Sequence, residues 1–95
     1  MEVEKSCGAV LFTKLQGKRY YVLVCSAVEQ NYGLPKGHIE GNETEQETAL
    51  REIFEETLVN AEIIKGFRRQ IEYMTSAGNK KQVVYFVASF ENQEA

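Results

Sequence analysis

Gly37-His38-Ile39-Glu40-Gly41-Asn42-Glu43-Thr44-Glu45-Gln46-Glu47-Thr48-Ala49-Leu50-Arg51-Glu52-Ile53-Phe54-Glu55-Glu56-Thr57-Leu58-Val59 reads as a glycine-rich loop feeding an acidic helix. Thr44 followed three residues later by Glu47 is a capping-box pattern, in which the hydroxyl takes an orphan backbone N–H and the carboxylate reaches back. The spacing predicts a helix over Thr44 to Leu58. At 3.6 residues per turn, Glu52, Glu55 and Glu56 fall within an arc of roughly 100°, and Ala49, Leu50, Ile53, Phe54 and Thr57 are expected on the opposite, core-facing side.

Such a carboxylate cluster is costly if nothing binds it. Glu52 with Glu55 and Glu52 with Glu56 are like-charge pairs at i,i+3 and i,i+4, each destabilising by about 0.2–0.5 kcal/mol. They also sit in the last turns, where the macrodipole disfavours each anion by a further ~0.3–1 kcal/mol. Arg51, with Glu47 and Glu55 in reach at i−4 and i+4, relieves only part of this. A divalent cation turns the repulsion into ligation, and an all-oxygen donor set favours Mg²⁺ or Mn²⁺ over zinc.

The order Gly, five residues, Glu, seven residues, Arg-Glu-apolar-any-Glu-Glu is met by Gly37, Glu43, Arg51, Glu52, Ile53, Glu55 and Glu56, and it resembles the Nudix box of Nudix hydrolases. Six fixed residue types, Ile53 being required only to be apolar, coincide by chance on the order of once in 10⁷ to 10⁸ placements. The chain departs from the box at Leu58, which stands where a Gly suited to a left-handed helix C-cap belongs. The preceding Leu34-Pro35-Lys36-Gly37-His38-Ile39-Glu40 is similar to the loop of the asymmetric diadenosine tetraphosphate hydrolase branch. Gly37 and Gly41 allow positive φ and inward-turned backbone groups, and Lys36 and His38 place donors beside them.

Around this centre the composition fits one small globular domain over residues 1–95, with 43% hydrophobic residues. A net charge of −3 argues against a nonspecific nucleic-acid surface, whose footprint is basic. The start, Met1-Glu2-Val3-Glu4-Lys5, lacks the apolar centre of a signal peptide, and no apolar run approaches a membrane span, so a cytoplasmic location is expected. Cys7 and Cys25 have neither zinc-like partners nor a disulfide framework and read as reduced core residues.

Ser6 to Thr13 reads as a strand, with Gly8 a site of close backbone approach. Lys14 to Lys18 is a polar turn. Tyr20 to Ala27, nearly continuously apolar, is expected as a second strand central to a sheet. Glu29 to Gly33 breaks the pattern. After the helix, Ala61 to Phe67 and Gln70 to Thr75 read as strands, Ser76 to Lys80 as a hairpin turn, and Lys81 to Phe90 as a last, buried strand. Arg68 and Arg69 could neutralise phosphates, but the reading preferred for both is solvated surface.

The fold class expected is α/β (α+β), a mixed-sheet sandwich of the Nudix type with the box helix packed through Leu50, Ile53 and Phe54. The resemblance implies hydrolysis of a phosphoanhydride in a nucleoside diphosphate derivative, most like a dinucleoside polyphosphate such as diadenosine tetraphosphate. A nucleoside triphosphate or RNA 5′-end pyrophosphohydrolase, or a domain that binds nucleotides without cleaving them, stays open. It implies Mg²⁺ (or Mn²⁺) on Glu52, Glu55, Glu56 and the Gly37 carbonyl, and Arg51 holding a carboxylate through a charged fork. Glu43 is a loop-fixing candidate. Lys36, His38 and Lys81 are expected at phosphates and Tyr85 against an adenine ring, where stacking is worth about 1–3 kcal/mol. Relatives of this type continue with another strand and helix, so the C-terminal part of the usual domain is expected to be missing, and an uncovered sheet face leaves oligomerisation open.

Overall fold

The computed structural model describes residues 3–26, 31–75 and 77–91. The chain order is β1 (Val3–Leu15), β2 (Lys18–Tyr21), β3 (Val24–Ser26), β4 (Asn31–Gly33), β5 (Lys36–His38), α1 (Glu45–Thr57), β6 (Glu62–Met74) and β7 (Lys80–Ser89). Two long strands make the spine of a mixed five-stranded sheet. β1 runs parallel to β7 from Val3↔Lys80 to Phe12↔Ser89, and β7 pairs antiparallel with β6. The far edge of β1 is shared, with β5 on Ser6 to Gly8 and β2 on Phe12 to Leu15.

Period-two alternation decides which side of this sheet takes the helix. Cys7, Ala9 and Leu11 of β1 and Val84, Phe86 and Ala88 of β7 pack with Ala49, Ile53 and Val59 into one buried cluster. Side chains one residue out of phase, such as those of Val10 and Tyr85, belong to the other face. Glu45 anchors the start of α1 to this core, ion-pairing Lys5 of β1 at 2.7 Å and Arg68 of β6 at 2.8 Å.

The helix itself begins as the sequence predicts. Thr44 is the N-cap, its hydroxyl accepting the Glu47 N–H at 3.1 Å while the Glu47 carboxylate accepts the Thr44 N–H at 2.8 Å. At the other end Leu58 adopts φ 62°, ψ 21° and donates its N–H to the Phe54 carbonyl at 2.8 Å. A leucine therefore takes the left-handed cap usually given to glycine, at a cost of about 1–2 kcal/mol. Val59, fully buried immediately after it, shows what holds that exit in place.

Several expectations are corrected. Tyr20 to Ala27 is not one central strand: β2 is an exposed sheet edge and β3 pairs with β4 in a separate two-stranded sheet. The parallel partnership of β1 with β7 fills the central places, leaving β2 the rim. Ala27 lies outside the described residues, as do Glu29 and Gln30, and the rest of the expected break, Asn31 to Gly33, is strand β4. Cys7 is buried but Cys25, carried on β3, is exposed. The two strands expected between Ala61 and Thr75 are one strand with a register shift between Ile64 and Arg69, where Gly66 takes φ 96°. The turn beyond it forms as expected, with Gly78 at φ 84° and the Thr75 N–H bonded to the Asn79 carbonyl at 2.8 Å; Ser76 is outside the described residues. Phe54 is 45% exposed and does not join the core, which takes Thr48, Ala49, Ile53 and Thr57 from the helix.

Candidate functional site

That buried stripe changes the meaning of the glutamates. Measured around the helix from Thr48, Glu52 and Glu56 lie roughly 40° and 80° on, between Thr48 and Ile53, not opposite the core. They point at the loop that carries β5. The Glu52 side chain is only 16% exposed, and a Cβ built on Gly37 would overlap its carboxylate. Gly37 is not among the glycines with positive φ, although Gly41 is (φ 54°). Gly37 is thus required for close approach and not, as expected, for a left-handed backbone. Gly8 does the same one strand away: a side chain there would strike the Pro35 carbonyl and Lys36.

Arg51 organises the surrounding carboxylates. Its Nε donates to Glu43 Oε2 at 2.6 Å and one terminal nitrogen to Glu43 Oε1 at 3.0 Å, a fork of charge-assisted bonds. The other terminal nitrogen reaches Glu52 Oε1 at 2.8 Å and Glu55 Oε1 at 2.7 Å, with Glu40 at 3.5 Å. A further bond at 2.9 Å ties the guanidinium to the His38 carbonyl. Glu47, which the sequence offered as a partner, is engaged in the capping box instead. Glu43 in turn accepts the Glu40 N–H and the Thr48 hydroxyl, both at 3.0 Å, so it fixes the loop as well as the arginine. These bonds hold the Glu43 carboxyl down to about 2, the Arg51 fork being the largest cause, and raise Arg51 above its ordinary value.

Glu56 has the opposite electrostatics. Loss of solvent, then repulsion from Glu52, a hydrogen bond shared with Glu52, and Glu55 push its carboxyl up to about 7, against a lowering by the Lys36 backbone N–H. Glu52 and Glu56 are therefore a close acidic pair lying against a glycine loop. Glu55, 54% exposed at its side chain, is drawn onto Arg51. Among the described residues no three His, Cys, Asp or Glu side chains stand grouped to hold a metal ion. The expected trio of Glu52, Glu55 and Glu56 is not gathered at one point: one terminal nitrogen of Arg51 bridges Glu52 and Glu55, while Glu56 sits against Glu52 on the loop side.

The other candidates lie elsewhere around this pair. Lys36 is the Cα partner of Gly8 and His38 of Ser6, with the His38 side chain at the exposed end of β5. Tyr85 is in register with Gly8, and Lys81 with Glu4, on the sheet face away from α1. Thr48, Glu40 and the Lys5–Glu45–Arg68 clamp were not singled out from sequence as parts of the arrangement. The capping geometry of Thr44 to Thr48 carried a signal for Thr48; nothing local linked Arg68 to Glu45 across 23 residues, and Arg68 lies at the surface as read but ion-paired there.

The NUDIX domain profile matches residues 5–95. The chain belongs to the Nudix family. Among Nudix relatives it is 33% identical over 98 residues to the asymmetrical bis(5′-nucleosyl)-tetraphosphatase of Mus musculus, covering 93% of this chain and 66% of that protein. The crystal structure of C. elegans Ap4A hydrolase superposes with a TM-score of 0.85 at 26% identity, covering 99% of this chain and 74% of that one. The NUDIX domain of Shewanella oneidensis NrtR, solved with ADP ribose, shares the fold with a TM-score of 0.76 at 23% identity. The chain spans about two thirds of the length of the curated relatives it matches. The mixed sheet with one box helix is the Nudix α+β fold. No helix among the described residues is long and apolar enough to cross a membrane.

Proposed function

We propose that the chain is a Nudix pyrophosphohydrolase that cleaves a phosphoanhydride in a dinucleoside polyphosphate, diadenosine tetraphosphate giving ATP and AMP. The observation that carries this reading is the Glu52–Glu56 pair at the β5 loop, with Glu52 pressed against Gly37 and held there by Arg51. A second carboxyl brought this close to another costs stability unless a cation joins it, and the donor chemistry fits a hard divalent metal such as Mg²⁺ or Mn²⁺. Glu52 and Glu56, with the Gly37 carbonyl and Glu55 as further oxygen donors, would hold it. When bound, such an ion polarises phosphate oxygens and acidifies water.

The protein's own contributions follow from the geometry. Arg51 keeps Glu52 turned toward the loop and fixes Glu43, so the two carboxyls meet an incoming ligand without rearranging. Lys36 and His38, on either side of Gly37 in β5, neutralise phosphate charge, Lys81 adds a cation two strands away on β7, and Tyr85 offers a ring for a base. In-line attack at phosphorus asks mainly for positioning and charge neutralisation, which this set supplies. The Mus musculus and C. elegans relatives support the choice of substrate class.

A second reading is favoured by one specific feature, the capture of Glu55 by Arg51: a domain that binds nucleotides without cleaving them. Product analysis separates the readings. Incubation of diadenosine tetraphosphate, nucleoside triphosphates and 5′-triphosphorylated RNA with Mg²⁺ or Mn²⁺ is expected to give ATP plus AMP from the first substrate at the highest rate. Preference for either other substrate would replace the proposed specificity, and absence of turnover on all three with intact nucleotide binding would establish the non-cleaving domain.

A further inference from the structure

Several cations of this chain divide by sheet face. On the helix side Lys5 and Arg68 share Glu45, Arg51 holds its fan of carboxylates, and Lys80 pairs with Glu72 at 3.0 Å. On the other face lie Lys36, Lys81 and Arg69, and among the described residues none of these three forms an ion pair. The two consecutive arginines of β6 are thus separated in role by the register shift before Arg69: Arg68 is tied to the helix, and Arg69 stands as the Cα partner of Tyr85.

Register places Arg69 in a continuous row. Arg69 is opposite Tyr85, Tyr85 opposite Gly8, and Gly8 opposite Lys36, so the four positions share one face of the sheet. At one end of the row the Lys36 N–H bonds the Glu56 carboxyl. At the other end, three strand spacings or about 14 Å away, is Arg69. No acid interrupts the row, in a chain whose net charge is −3. Cations left without an acidic partner at the two ends of this row suit an anion, and the half-buried tyrosine between them suits a planar ring.

We propose that Arg69 is a specificity-determining residue that covers the nucleotide base stacked on Tyr85, the planar guanidinium lying against the ring system on the side away from the carboxylate pair. This rests on the nucleotide-binding reading above and extends it to a residue on β6. It also assigns different work to neighbours that the sequence presents as equivalent, since Arg68 faces Glu45.

The test measures both binding and turnover in R69A, R69K and R68A. For R69A the KM for diadenosine tetraphosphate and the Kd for ATP are expected to rise about tenfold, with kcat within about twofold of wild type and competitive inhibition by inorganic tripolyphosphate unchanged. R69K recovers less than half of that loss, because an ammonium does not lie flat on a base. R68A lowers Tm and leaves KM alone. An unaltered ATP affinity in R69A overturns the proposal, as does an equal loss for tripolyphosphate, which would make Arg69 a phosphate contact. A wild-type chain that binds ATP without turnover would refute the hydrolase reading while leaving the Arg69 test intact through Kd, and a wild-type chain that binds no nucleotide would overturn both.

Discussion

Replacing Gly37 by alanine probes the contact on which the whole site is built. The backbone there is outside the left-handed region, so alanine is conformationally acceptable and the objection is purely steric. Its Cβ would coincide with the Glu52 carboxylate, all three of whose terminal atoms lie inside contact distance of that point. Restoring ordinary van der Waals separation requires the carboxylate to retreat by more than about 1 Å. A displacement of that size at a positioning group costs on the order of 10²-fold in turnover, or about 2.7 kcal/mol of barrier. The retreat also weakens the 2.8 Å bond from Arg51 to Glu52, worth about 1.5–3 kcal/mol, and partly offsets this by relieving the acidic pair. A net destabilisation of about 1 kcal/mol is expected, which lowers Tm by roughly 4–8 °C in a domain of this size. The assay is threefold: kcat on diadenosine tetraphosphate, Tm in the absence of metal, and the titration of Glu56 followed by side-chain carboxyl NMR. With Glu52 withdrawn, Glu56 should titrate below the value of about 7 set by its present surroundings, the part owed to loss of solvent remaining. Wild-type kcat within threefold, together with an unmoved Glu56 titration, would refute the reasoning.

Three other outcomes are expected. Arg51→Lys keeps a charge but not the fork, so thermal unfolding should show a loss of about 1–2 kcal/mol and turnover should fall at least tenfold; wild-type behaviour in both would show that the carboxylates are placed by something else. Glu56 has a folded-state pKa raised above its unfolded value of 4.5 to about 7, so its stabilising contribution in metal-free protein is fully present below pH 4.5 and lost as pH rises through 7. Denaturant melts should therefore show about 1 kcal/mol less stability at pH 8 than at pH 5 from this group, after allowance for solvent screening; Glu56→Gln should flatten that dependence, keep the fold and abolish metal-dependent turnover, and retained turnover would remove Glu56 from the site. In native protein a maleimide should modify the exposed Cys25 quickly and Cys7, whose burial shields it and pushes its thiol pKa up, only on unfolding; equal labelling rates, read by peptide mass spectrometry, would contradict the packing of β1.

Local chemistry was legible without coordinates because it depends on residues a few positions apart. The Thr44–Glu47 capping box, the span of α1, the turn at Gly78 and the strand character of Val83 to Val87 all follow from i,i+3 spacing, turn residues and β-branched runs. So did the family, since the Nudix box is a contiguous pattern. The path of β2 and β3 was not legible: an apolar run such as Tyr20 to Ala27 looks the same whether it is central or peripheral, and only the pairing of β1 with β7 decides.

The sequence by itself determined that an acidic helix follows a glycine loop and that its glutamates are too close together to be left alone. Tertiary structure decided which of them face the loop. Helical spacing sets the angle between side chains but not the direction of the core, and that direction came from β1 and β7, over 25 residues away on either side of Glu52. It turned Glu52 inward against Gly37 and Glu56 toward the Lys36 backbone, placed Glu55 on Arg51, and set Arg68 and Arg69 on opposite faces of one sheet. A single sequence records each of these residues, while the contacts that divide their roles are made by strands that meet only when the chain has closed on itself.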